Sequence, residues 1–217
     1  MLKDSTKEKA IVLPIFFMPP IAWFAVVLEQ SSTIVLEQME HFPKQTYRNR
    51  MEILAANGKL TLSIPMKHVG KSLMKDAEMS FAENWKAQHW KSIQSAYQAS
   101  PYFEYYQDEL KKIFDFPTHS LQEFNLHALS VIFKILKIEL NYQLNTEYQL
   151  DTHGVDFRNY FSAKKKISWK WEKYYQVFSD KWDFVENLSI LDLICNKGPE
   201  SLTYIKKSLE QNQKELY

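Results

Sequence analysis

The chain has 217 residues, 45% of them hydrophobic and only four glycine, which excludes extended disorder and suits one domain over 1–217 with a substantial core. Its formal net charge is +1, so no overall field favours nucleic acid, and any anion site must come from a local cluster. A lone cysteine, Cys195, excludes an intramolecular disulfide and fits a reducing, cytoplasmic setting.

The first element is an apolar, β-rich stretch from Lys9 to Phe17 that reads as a buried strand. It belongs to an 18-residue uncharged run, Ile11 to Leu28. Pro14, Pro19 and Pro20 argue against a membrane span, because they remove backbone donors near its middle. LEQSST follows where a signal peptide would need a small-x-small cleavage site. Pro20 suits the first turn of a helix running to about Glu29, and TIVLE (33–37) reads as a second strand. Strand, helix and strand at this spacing form a βαβ unit with parallel strands. The loops at 14–20 and 38–50 then leave the same carboxyl edge, where open α/β sheets place ligands.

The second of these loops holds HFPKQTYRNR, 41–50. Of 27 basic residues only three are arginine, and Arg48 and Arg50 fall here beside Lys44. A guanidinium grips carboxylate or phosphate through two donors, as lysine does not. Two readings stand side by side: an anion contact, or a structural ion pair with Glu37 or Glu40.

MEILAANGKLTLSIP predicts a hairpin about Asn57-Gly58, with His68 on the loop after it and DAEMSF as a short edge strand. Three helices follow. Asn84 to Ala99 puts Trp85, His89 and Ile93 on one face. Tyr102 to Phe114 is tyrosine-rich. Ser120 with Glu123 is a capping-box signature opening Leu121 to about Leu140. These make a helical subdomain over about 84–140. Thr146 to Asp151 predicts a further parallel strand, whose following loop brings His153 and Arg158 to the ligand edge. KKKISWKWEK, 164–173, reads as a strand with one wet face or as a loop. A short apolar helix from Asn187 to Asn196 contains Cys195, read as a buried small hydrophobe. Pro199 opens the last helix. The expected fold is α/β, an open and mainly parallel Rossmann-like sheet with an inserted β-hairpin and a helical half.

Dinucleotide, P-loop, zincin and serine-hydrolase motifs are all missing, the six histidines show no metal-ligand spacing, and no cofactor is indicated. His89 has two readings, a core histidine hydrogen-bonded for structure or a proton-transfer group on a pocket wall, and His68 is the second candidate. Tyr47 can orient a bound group or simply pack against the arginines. The 164–173 stretch serves an RNA platform only if it shares one basic face with the arginines.

The segments LPIFFMPPIAWF (13–24), KQTYRNR (44–50), LSIPMKH (62–68), the run from Trp85 to Tyr106, YYQVF, and NLSILDLICNKGPESLTYI resemble the WbqC-like protein family, in order and over most of the chain. The resemblance implies a bacterial cytoplasmic protein working in surface-polysaccharide (O-antigen-type) assembly, with an aminoacyl or glycyl transfer as the activity suggested for the family. Its motifs fall here on Lys44, Gln45, Tyr47, Arg48, Asn49 and Arg50, on His68, and on Trp85, His89 and Trp90. The expected function is a transferase acting on a small-molecule or carrier-linked anionic substrate. Lys44, Gln45, Tyr47, Arg48, Asn49, Arg50, Trp85 and Arg158 bind the substrate in this reading, and His89 or His68 moves the proton. The alternative is a noncatalytic protein binding the same metabolite. The first strand, turn and helix also resemble nucleotidylyltransferases, but MPPIAW stands where that group has HxGH, which argues against nucleotidyl transfer.

Overall fold

A computed structural model describes residues 10–29, 33–68, 70–150 and 154–216. Strand β1 (Ala10–Pro14), helix α1 (Ile21–Val27) and strand β2 (Thr33–Glu37) form the expected βαβ unit, with β1 and β2 parallel from Ala10↔Thr33 to Pro14↔Glu37. All seven α1 residues are buried, which explains its continuous apolar sequence. Pro20 sits just before the helix, and the free donors of the first turn are satisfied from far along the chain. Ile21 N donates to the Leu188 carbonyl at 3.1 Å and Ala22 N to Asn187 Oδ1 at 2.9 Å.

Strands β3 (Arg50–Ala55) and β4 (Gly58–Ser63) make the hairpin. Its turn is Ala56-Asn57, one residue earlier than the Asn57-Gly58 expectation, and Gly58 at φ +100° supplies the left-handed step back into the strand. DAEMSF forms only isolated bridges, Met66↔Met79 and Glu78↔Ser120. Helices α2 (Trp85–Tyr97), α3 (Phe103–Asp115) and α4 (Leu121–Leu136) follow. Asn84 caps α2 and Ser120 caps α4, and Lys137 at φ 55° closes α4 four residues short of Leu140.

The remaining strands differ from expectation. Thr146 to Leu150 is turn and irregular chain; β5 is Tyr142–Leu144 and β6 is Val155–Asp156. Both are parallel to their neighbours, giving the order β5-β2-β1-β6. Gly154 lets β6 approach β1, because a Cβ there would lie 1.8 Å from the Ala10 carbonyl oxygen. Residues 164–173 form neither helix nor strand. Instead, the Trp169 and Trp171 rings stack at 5.5 Å, and Lys170 N donates to Asn212 Oδ1 at 2.6 Å. Helices α5 (Ser179–Trp182), α6 (Ile190–Lys197) and α7 (Ser201–Asn212) complete the chain, with α1 packed against α6 and α7. A contiguous apolar core runs through β1, α1, the hairpin and helices α2, α3, α4, α6 and α7. No helix among the described residues is long and apolar enough to cross a membrane.

Candidate binding site at the carboxyl edge of the sheet

Because β1, β2 and β6 are parallel, their carboxyl ends point the same way: Pro14 lies beside Glu37, and β6 ends with Asp156 beside Val12. Arg48 and Arg158 both reach this edge. Arg48 holds Glu40 through two parallel bonds of 2.6 Å, and its Nη2 also donates to the Arg158 carbonyl at 3.2 Å. Arg158 bonds Asp156 through Nε and Nη2, reaches Glu37 Oε2 with Nη1 at 3.1 Å, and lies 4.5 Å from the Tyr148 ring centroid. Arg48, Arg158, Glu37 and Glu40 are buried. Burial raises the Glu40 carboxyl despite the Arg48 bond. Burial also pushes Asp156 upward, but the Arg158 bonds outweigh it and the carboxyl is lowered. The structural-pair reading of Arg48 is thus the geometry present, and an incoming anion would meet Arg48 or Arg158 in competition with Glu40 and Glu37.

The rest of 41–50 is a succession of turns. Lys44 and Gln45 are exposed, Gln45 at φ +61°. Asn49 Nδ2 donates to the Ile64 carbonyl at 2.9 Å. Among the described residues Arg50 pairs with no carboxylate, and its buried Nε has no acceptor. Tyr47 receives a hydrogen bond at its carbonyl from Phe17 N at 2.8 Å, which ties its backbone to the β1–α1 loop, and its hydroxyl donates to Glu52 Oε2 at 3.2 Å.

Tyr47 and Glu52 line a pocket of about 400 Å³ between the hairpin, residues 161–167, Trp171 and residues 184–187. Its size suits a small metabolite. Lys59 pairs with Glu52 at 3.1 Å and Lys166 with Glu186 at 3.2 Å, while Lys164 and Lys165 also line it and make no ion pair among the described residues. The pocket therefore has four lysines against two carboxylates. Burial, then the Glu52 charge, pushes the Tyr47 hydroxyl far up, so it remains a neutral donor.

The two histidine candidates lie elsewhere. His89 is 5% exposed, lies with its ring centroid 6.1 Å from Phe17 and 5.1 Å from Trp85, and has no partner for Nδ1 among the described residues. Burial lowers its pKa to about 4 against the opposing Ser63 carbonyl, so the ring is neutral near pH 7. Trp85 is buried too, and its Nε1 has no partner among the described residues. His68 is exposed on its loop, neither histidine lines the Tyr47 pocket, and His153 lies outside the described residues. The structure brings together Arg48, Arg158 and Tyr47 at one edge, and Trp85 and His89 behind it. No three His, Cys, Asp or Glu residues among those described are placed to hold a metal ion.

Sequence reasoning missed Glu52, Lys59, Glu186 and Asn187 as pocket residues. The available signal at Glu52 was an acid inside the apolar strand MEILA. The same signal, an acid inside LSILDLIC, marks Asp192. This carboxylate is 1% exposed and accepts hydrogen bonds from Tyr174 Oη at 2.6 Å, Gln176 Nε2 at 2.8 Å and Tyr97 Oη at 3.2 Å. Burial raises its pKa to about 6. Cys195 beside it is fully buried and its thiol is pushed well up by burial, so it is not an activated nucleophile.

A family model described as the WbqC-like protein family matches residues 15–158, more than half of the chain. No curated protein and no solved structure matches.

Proposed function

The chain belongs to the WbqC-like protein family, and on that premise we propose that it is a cytoplasmic transferase of bacterial surface-polysaccharide formation acting on an anionic activated donor or carrier. The family name carries the biological setting, and the aminoacyl or glycyl group is the transferred group that the resemblance implies. The observation that carries the anionic substrate is the Tyr47 pocket, where Lys164 and Lys165 face the same space as Glu52 without carboxylates of their own. In this reading the two lysines neutralise the donor's anionic group and Tyr47 orients it; the accepting hydroxyl or amine bonds the acyl carbon and gives its proton to Glu52, while the bond from that carbon to the donor's anionic group breaks and the group leaves as an anion held by the lysines. Arg48 and Arg158 act as the frame that holds the 38–50 loop against the sheet edge.

A second reading, binding without turnover, is favoured by one observation: neither His89 nor His68 reaches this pocket. One experiment separates the two. The full chain is incubated with bacterial extract and analysed by native mass spectrometry, beside a Lys164→Ala/Lys165→Ala variant and Glu52→Gln. Retention of a small anionic metabolite that falls about tenfold or more in the double variant supports the pocket, and retention unchanged in it removes the pocket reading. Conversion of that metabolite by the parent chain but not by Glu52→Gln supports transfer, whereas binding without conversion supports the second reading.

A further inference from the structure

A second cavity, of about 660 Å³, lies on the helical side of the molecule, lined by Tyr102, Tyr105 and Tyr106 at the start of α3, by Lys134 and Lys137 at the end of α4, and by Pro199 before α7. Tyr105 is 80% exposed, the most exposed aromatic ring among the described large hydrophobic residues. It is not loose decoration, because Tyr106 meets it edge-on at 4.8 Å and 89° and is itself buried. Tyr102 forms a fixed floor. Its N donates to the Cys195 carbonyl at 3.0 Å, and its ring lies flush on Gly198, where a Cβ would come within 2.4 Å of it. Gly198 at φ +52° permits both that contact and the turn.

We propose that this cavity is a saccharide subsite, with a pyranose ring stacked on Tyr105. The axial C–H bonds on one face of a pyranose carry small positive charge, which matches the negative face of an aromatic ring. Its hydroxyls need donors and acceptors together, and the rim supplies both: the Lys134 and Lys137 ammonium groups donate, the Glu109 carboxylate accepts, and the tyrosine hydroxyls do either. A lipid chain or an apolar helix would make no use of the hydrogen-bonding groups on this rim. A simple anion would meet Glu109, which lies 3.4 Å from Lys134 and offsets its charge. The volume fits one or two sugar rings.

The proposal does not depend on the Tyr47 pocket, and its test leaves that pocket intact. The full chain is mixed with methyl glucoside, methyl galactoside, N-acetylglucosamine and their disaccharides, and saturation transfer from protein to sugar is read by NMR. Transfer concentrated on the C–H protons of one ring face is expected. It should weaken about tenfold in Tyr105→Ala and persist in Tyr105→Phe, which keeps the ring. Because Tyr105 is largely exposed, both variants should melt as the parent does. Absence of transfer from all these sugars overturns the proposal, as does transfer that persists in Tyr105→Ala. Displacement of bound sugar by octyl glucoside but not by methyl glucoside would assign the cavity to an alkyl chain and overturn it equally.

Discussion

Arg48 Nη2 donates to the main-chain carbonyl of Arg158 at 3.2 Å, joining residues 110 positions apart at the carboxyl edge of the sheet. Each of these arginines also holds a carboxylate, so the contact ties two ion pairs into one buried frame.

The frame sets how Arg48 responds to substitution. On the sequence alone, Arg48→Lys is expected to weaken ligand binding and leave the fold intact. With Arg48 only 3% exposed and both bonds to Glu40 made, Arg48→Lys is expected to lose about 1–3 kcal/mol of stability. Arg48→Met, which strands the Glu40 charge, should lose about 3–5 kcal/mol, and adding Glu40→Leu should restore much of it. Urea denaturation of the three variants measures this. Equal stability of Arg48→Met and the parent would show that the pair contributes nothing to the fold.

Two buried groups pull stability in opposite directions with pH. The His89 pKa is depressed from 6.5 to about 4, so its contribution is fully present above pH 6.5 and is lost as pH falls through about 4. The Asp192 pKa is raised from 3.8 to about 6, so its contribution is fully present below pH 3.8 and is lost as pH rises through about 6. Each is worth about 3 kcal/mol at about 1.4 kcal/mol per pKa unit. Between pH 4 and 6 the two nearly cancel. His89→Gln should therefore expose a stability that falls with rising pH over this window, and Asp192→Asn one that rises. Denaturation midpoints at pH 4, 5, 6 and 7 test it, and variants with the parent's pH profile would refute the assignment.

Gly154→Ala adds a methyl group where the Ala10 carbonyl oxygen already stands, at 1.8 Å. Backbone cannot yield as a flexible side chain can. The variant should lose about 3 kcal/mol or more, and hydrogen exchange should quicken at Phe157 N, which donates to the Val12 carbonyl. A parent-like melting temperature would show that β6 need not approach β1 so closely.

The β1, α1 and β2 unit was legible because an apolar run punctuated by prolines leaves few other solutions. The helix caps were legible because Asn84 and Ser120 act locally. The outer strands were not. Three residues in β5 and two in β6 are too short for any periodicity to register, and TEYQL, 146–150, where the strand was expected, forms no ladder among the described residues. At the site, Glu40 was visible as a partner for Arg48 because both lie in one loop. The Tyr47 pocket was not visible, because its far wall at 184–187 comes from the other end of the chain. The imidazole of His89 was correctly placed on a helix face with Trp85, but nothing local showed that Phe17 would cover it.

The hairpin is fastened to the C-terminal third at two points. Ser189 N donates to the Glu52 carbonyl at 2.9 Å at its middle, and Trp182 Nε1 and Lys181 Nζ both donate to the Ala56 carbonyl at its tip, at 3.0 and 2.9 Å. Two walls of the Tyr47 pocket are thereby riveted together, and its width can change chiefly through the irregular stretch 161–167. That stretch carries Lys164 and Lys165. A ligand that drew these lysines inward would therefore narrow the pocket in the same step that neutralised its own charge.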